Sequence, residues 1–318
     1  MAKLLIFGDS WAYDSTLTTW PERLGERWGW RALNMAQGHS GSADLDAQRR
    51  QLLWELSCSD LRVDEDAVAI THTGGNDLYF ASPKECAAIA LAGCCPCSQP
   101  PRVARSLSAN MARHVSALLA LGVRTHVIVG VPLSASMPFI AAPAAAVPFM
   151  PESVMLAVAR SVMRASNDVL LAAMRTALDQ ARQVSSPNSS SSSSWETEAK
   201  TMAALSAGSA SSAEVIGVVV DEALAIDSIV ARGSDGKGSS TRERWWEDVS
   251  HPSQALHDAL AEEMQRQVRN ALDEAARGGA MAAPSRGGHV GEAASEEQEE
   301  EVVRLLAFRT PAVDVAMS

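Results

Sequence analysis

No stretch of this 318-residue sequence is long and apolar enough to span a bilayer, which argues against an integral membrane segment. A basic surplus is missing as well: 27 Lys and Arg stand against 38 Asp and Glu, a net charge of −11. Such a field repels phosphate backbones and anionic lipid, so neither nucleic acid nor a membrane surface is an expected partner. A small neutral substrate is easier to reconcile with it. Part of the acidity sits in one run, Glu296 to Glu301, the kind of like-charge block that stays solvated. The chain has no regular cysteine framework either. Its 5 cysteines, Cys58, Cys86, Cys94, Cys95 and Cys97, are an odd number with irregular spacing, which fits reduced thiols in a cytoplasmic setting. The opening Met1-Ala2-Lys3 and the short apolar run behind it lack the length and cleavage site of a signal peptide. The closing Ala316-Met317-Ser318 matches no common retention or peroxisomal signal. Internal repeats are absent.

What is present alternates. Apolar runs at Lys3 to Phe7, Ala67 to Thr71, Thr125 to Val131 and Glu214 to Val220 read as buried parallel strands, with a weaker one at Arg31 to Met35. Helical periodicity fills Trp20 to Trp28, Ser42 to Leu56, Val103 to Leu121, Pro151 to Val184 and Pro252 to Ala276. Strand and helix in turn predict an α/β sandwich, a parallel sheet with helices on both faces. The serine-rich stretch within 185–212 cannot bury enough apolar surface to offset its ordering entropy and reads as a disordered insertion. The expected organisation is therefore one domain over 1–277 carrying that insertion, followed by a mobile acidic tail over 278–318. Within the tail, Glu300 to Phe308 has the pattern of an amphipathic turn or two that docks elsewhere.

The first strand runs into Phe7-Gly8-Asp9-Ser10-Trp11, which puts Ser10 just past its carboxyl end. In open α/β sheets that edge is where ligands bind. A serine that attacks a carbonyl needs a base, a group to orient the base, and donors for the oxyanion. His251 in Asp248-Val249-Ser250-His251-Pro252 is the base candidate, and Asp248, three residues earlier, can fold back onto the imidazole. The Ser10 and Gly38 backbone N–H groups and the Asn76 amide are the oxyanion candidates, because Gly38 and Asn76 each follow a predicted strand and reach the same edge. Proline at position 252 suits the first turn of the final helix, which sets His251 at a loop-to-helix junction.

Gly8-Asp9-Ser10, Gly38-His39-Ser40-Gly41, Gly74-Gly75-Asn76-Asp77 and Asp248-Val249-Ser250-His251-Pro252, in that order, resemble the four blocks of the SGNH hydrolases, the GDSL esterases and lipases. Trp11 departs from the pattern, since leucine is commoner there. The resemblance runs from Lys3 to the final helix. It implies a three-layer α/β/α, flavodoxin-like fold with a five-stranded parallel sheet. It also implies a serine esterase acting on carboxylic esters through an acyl-enzyme on Ser10, with neither metal nor organic cofactor. An acyltransferase using the same site, or a non-catalytic binding protein that retains the fold, are the alternatives.

Other residues invite weaker readings. Trp11, Phe139 and Trp245 are candidate substrate-binding residues, and the apolar stretch Pro132 to Pro151 reads either as a lid or acyl pocket above Ser10 or as simple packing over the sheet. Trp245 and Trp246 fit equally as core beneath the catalytic turn. His72, in or at the end of a strand, and His39, after a glycine turn, are read as structural or pocket-lining rather than as rival bases. Cys94 and Cys97 have the spacing of paired zinc ligands, but no second pair completes a set, so a metal site is not expected.

Overall fold

The computed structural model describes residues 2–59, 62–94, 99–134, 136–138, 151–184, 216–233, 244–248, 250–276 and 306–308. The apolar runs form strands: β1 (Ala2–Gly8), β2 (Ala32–Asn34), β3 (Val63–His72), β4 (Thr125–Val129) and β5 (Ile216–Val220). They pair in parallel in the order β2-β1-β3-β4-β5, the flavodoxin-like winding in which β1 borders the switch point. Connecting them are α1 (Trp20–Trp28), α2 (Leu45–Cys58), the short α3 (Gly75–Tyr79), α4 (Pro83–Cys94), α5 (Arg102–Ala120), α6 (Glu152–Val184), α7 (Glu222–Gly233) and α8 (Gln254–Ala276).

Side chains of a strand point alternately to the two faces, and that alternation splits the core in two. Leu4 and Ile6 of β1 join Trp20 and Leu24 of α1, Ile226 of α7 and Leu256 and Leu260 of α8. Leu5 and Phe7 join Leu52 of α2, Leu107 and Met111 of α5 and Leu171 and Met174 of α6. The result is the expected three-layer α/β/α sandwich. Helix ends follow local chemistry: the Glu22 carboxylate accepts the Thr19 backbone N–H at 2.9 Å ahead of α1, and Gly29 closes that helix in the left-handed region at φ 66°.

Three features differ from the sequence reading. Helices α3, α4 and α7 were not legible: α3 is only 5 residues long, the run Cys86 to Ala92 is nearly all small or apolar, so it offers little contrast between faces, and only the capping residue Asp221 separates β5 from α7. The last helix begins at Gln254 rather than at proline, because Pro252 is held in an antiparallel bridge with Trp246. The sheet also gains a sixth strand: β6 (Leu306–Phe308) pairs antiparallel with β5, so these residues extend the sheet edge instead of forming a helical turn. The serine-rich stretch and the rest of the tail lie outside the described residues, as do Cys95 and Cys97. Among the described residues no helix is long and apolar enough to cross a membrane.

Candidate active site

The turn that carries Ser10 is held on several sides. Gly8 sits beside His72 in the β1–β3 register at φ 142°, and a Cβ there would lie 1.9 Å from the His72 carbonyl oxygen. Only glycine fits that approach. The buried Gln48 amide clamps the Gly8 peptide from the other side, accepting its N–H at 2.8 Å and donating to its carbonyl at 2.7 Å. Asp9 Oδ1 accepts the Trp11 N–H at 3.0 Å, and the Asp9 carbonyl accepts the Ala12 and Tyr13 N–H groups. Ser10 itself is half-buried at the carboxyl edge of the sheet.

Late in the chain, residues 245–248 and 250–253 return to this edge, tied to each other. The bridge between Trp246 and Pro252, the Glu247 N–H to the His251 carbonyl at 3.0 Å, and the Ser253 N–H to the Trp245 carbonyl at 3.0 Å make the ties. Asp248 adds to them: Oδ1 accepts the Ser250 and His251 backbone N–H groups at 2.6 and 2.7 Å. That leaves Oδ2 for His251 Nδ1, 2.7 Å away, and on the other side of the ring His251 Nε2 lies 3.2 Å from Ser10 Oγ. The structure thus brings Ser10, His251 and Asp248 into one hydrogen-bonded chain. Partial burial pushes the Asp248 carboxyl up, but the Ser250 and His251 N–H groups and the His251 ring outweigh it and hold it down at about 2. Asp248 is therefore ionised at neutral pH and fixes the proton of His251 on Nδ1, leaving Nε2 as the acceptor toward Ser10.

Gly38 arrives on a loop and Asn76 at the start of α3, and the two segments are tied together. The Asn76 amide donates to the Ser40 carbonyl at 2.9 Å. Asp77 accepts the Ser42 N–H at 2.7 Å and the Ser42 hydroxyl at 2.6 Å, and Asn110 of α5 donates to the same hydroxyl at 2.9 Å. Gly74 enters α3 at φ 109°. Among the described residues no acceptor is paired with the backbone N–H of Ser10 or of Gly38, so both donors are available. His39 is exposed with φ 64° and takes no part in the hydrogen-bonded chain.

The predicted substrate-binding residues fare differently from one another. Trp11 and Trp245 are buried to 6% and 5% exposure in the apolar core, with Trp11 edge-on to Trp246 at 6.2 Å and Arg244 stacked 4.6 Å above Trp245. Both are core side chains beneath the loop rather than an open wall. Phe139 lies outside the described residues, with most of the apolar stretch it belongs to. Met137, from the start of that stretch, is buried in the core.

Sequence reasoning missed a second chain of polar groups under the first. His72 is fully buried, with Nδ1 3.0 Å from Asp9 Oδ1 and Nε2 2.6 Å from Glu222 Oε2. A histidine inside an apolar strand run is a signal that a buried partner exists. Nothing in the sequence points to Glu222, 150 residues away. Among the described residues no group of three or more His, Cys, Asp or Glu is arranged to hold a metal ion.

No known family model matches the chain, and no curated protein does. Among solved structures it is similar to one from Desulfitobacterium hafniense DCB-2, provisionally described as a lipolytic protein of the G-D-S-L family. The two share 11% identity and a TM-score of 0.40, over 84% of this chain and 99% of that one. It is similar also to a protein from Slackia heliotrinireducens, provisionally described as an SGNH hydrolase, at 16% identity and a TM-score of 0.35, over 83% of this chain and 97% of that one.

Proposed function

We propose, from the resemblance of the sequence blocks to the SGNH hydrolases and from the geometry around Ser10, that this chain is a serine esterase hydrolysing small carboxylic esters. The observation that carries the reading is the hydrogen-bonded chain from Asp248 through His251 to Ser10, assembled from opposite ends of the sequence at the carboxyl edge of a parallel sheet. Three polar side chains meeting by accident would not align base, orienting carboxylate and hydroxyl in that sequence of contacts.

In this mechanism Ser10 Oγ attacks the ester carbonyl while its proton passes to His251 Nε2, and the carbonyl oxygen becomes the oxyanion. The unpaired Ser10 and Gly38 N–H groups, with the Asn76 amide, are the donors for that charge. Collapse of the tetrahedral species expels the alcohol, which takes the proton from His251. Water then enters, is deprotonated by the same imidazole, and releases the acid and free Ser10. Asp248 stays ionised throughout and stabilises the imidazolium that forms in each half. No metal or organic cofactor enters these steps. The −11 charge disfavours anionic polymers and is compatible with a small neutral ester.

The test is hydrolysis of a short-chain aryl ester by purified protein, with Ser10→Ala alongside. Removing the nucleophile of such a triad lowers kcat by up to about 10⁶-fold, and covalent labelling by a fluorophosphonate disappears with it. Wild-type rates retained by folded Ser10→Ala would sink the reading.

A further inference from the structure

The buried chain Asp9–His72–Glu222 runs across the carboxyl edge of the sheet directly beneath the Ser10 turn. Asp9 follows β1, His72 ends β3, and Glu222, the first residue of α7, follows β5, so three separate strand ends meet on one imidazole. The side chains are 0 to 3% exposed. Both ring nitrogens face carboxylate oxygens, and a neutral imidazole has one N–H to offer two acceptors. Burial alone would strip the His72 proton, but Glu222 and Asp9 outweigh it and hold the ring protonated well above the usual histidine range. Trp11 lies parallel over this ring, centroids 6.0 Å apart and planes within 5°. Neither the Trp20 indole N–H nor the other Glu222 oxygen has a hydrogen-bond partner among the described residues.

This arrangement is expensive to bury and plays no part in the reaction steps above. What it determines is the rotamer of Asp9. With one carboxylate oxygen shared between His72 and the Trp11 N–H, Asp9 cannot swing away, and the peptide turn on either side of Ser10 is fixed with it. We propose that Glu222 and His72 are positioning residues for the nucleophile: acting through Asp9, they set the turn that holds Ser10 Oγ within reach of His251 Nε2. The proposal rests on the reading of Ser10 as nucleophile. It adds to that reading a residue of α7 that touches neither substrate nor the reacting atoms.

The experiment compares Glu222→Leu and Glu222→Gln with wild type, using steady-state kinetics on a short-chain aryl ester, the rate of Ser10 labelling by a fluorophosphonate, and thermal unfolding. Leucine leaves His72 Nε2 without an acceptor, whereas glutamine keeps an acceptor oxygen of the same reach. Glu222→Leu should lower kcat by about 10- to 100-fold and slow labelling by the same factor, with KM within about twofold, as expected of a displaced reacting group. Glu222→Gln should return both rates to within about threefold of wild type. Leu52→Ala, in the core of the opposite face, serves as a destabilised control: it should lower the unfolding temperature yet keep kcat within about twofold well below it. Should Glu222→Leu not fold, His72→Gln asks the same question of the same hydrogen bonds. A folded Glu222→Leu or His72→Gln that labels and turns over at wild-type rates, or one whose loss appears in KM alone, overturns the positioning role while leaving Ser10 as nucleophile. A wild-type protein that neither hydrolyses nor labels removes both ideas together.

Discussion

Asp248 is half exposed, yet every part of its carboxylate is engaged, with Oδ1 on two backbone N–H groups and Oδ2 on His251. Position in the loop and orientation of the His251 ring are thus separable functions of its two oxygens. Asp248→Asn keeps an acceptor for the backbone but turns an NH₂ toward Nδ1, which favours the tautomer with its proton on the wrong nitrogen. A buried carboxylate replaced in this way costs up to about 10⁴-fold in kcat. Here water can reach the exposed site and partly substitute, so a loss of roughly 10²- to 10³-fold is expected, with the unfolding temperature nearly unchanged. A kcat within tenfold of wild type would mean that Asp248 only shapes the loop. That Ser10, Asp248 and His251 would meet was legible in the sequence, because each sits in a short block whose spacing encodes its local geometry. The Asp9–His72–Glu222 chain was not, since its partners meet only through the order of strands in the sheet.

At the scale of elements, β1, β3 and their following loops do most of the positioning. The five parallel strands were readable from their apolar runs, and the register of Gly8 opposite His72 follows from where those runs end. The lateral ties between loops were not readable, because they depend on side chains that lie far apart in sequence. Asp77 shows the cost of that blindness: it is the neighbour of Asn76, yet its work is to hold Ser42 and so to fasten the Gly38 loop against α3. Replacing it by alanine orphans a backbone N–H and a hydroxyl, a loss of about 1–3 kcal/mol if neither finds water. The Asn76–Ser40 bond would remain as a tie between the same segments, and Asn110 of α5 would still hold the Ser42 hydroxyl. Asp77→Ala should therefore fold with a lower unfolding temperature and, on the proposed mechanism, reduce kcat by roughly tenfold as the two segments proposed to carry the oxyanion donors separate, while Ser10 labelling slows in step. Unchanged kcat in the destabilised variant would show that Asn76 and Asn110 suffice to hold the loops.

For the whole molecule, the buried histidines make stability depend on pH in opposite senses. His257 lies in α8, and its Nδ1 accepts the Trp20 backbone N–H at 3.2 Å. Burial, with smaller contributions from His72 and His251, pushes it down to about 4, against a pull upward from Asp14 and Asp258. Its folded pKa is below its unfolded value of about 6.5, so between those two values the unfolded chain binds the extra proton. Stability must fall as pH drops through that window. His72, coupled to Glu222, has the reverse sign: its contribution is complete below about pH 6.5 and is lost as pH rises through its raised folded pKa. The raised carboxyls of Glu222 and Asp221 also favour the folded state in acid, so the wild-type curve mixes opposing slopes and a difference between variants is the informative quantity. His257→Asn can keep an oxygen acceptor for the Trp20 N–H but has nothing to titrate. Going from pH 6.5 to 4, the wild type should lose on the order of 3 kcal/mol more than this variant, the equivalent of the His257 shift at 1.36 kcal/mol per unit. Urea unfolding at half-unit pH steps measures it, and parallel acid limbs in the two proteins would mean that His257 is not buried neutral against α1. The same titration above pH 7 bears on the edge of the sheet: a loss of stability there that is absent from Glu222→Gln would assign the alkaline limb to the imidazolium beneath Ser10.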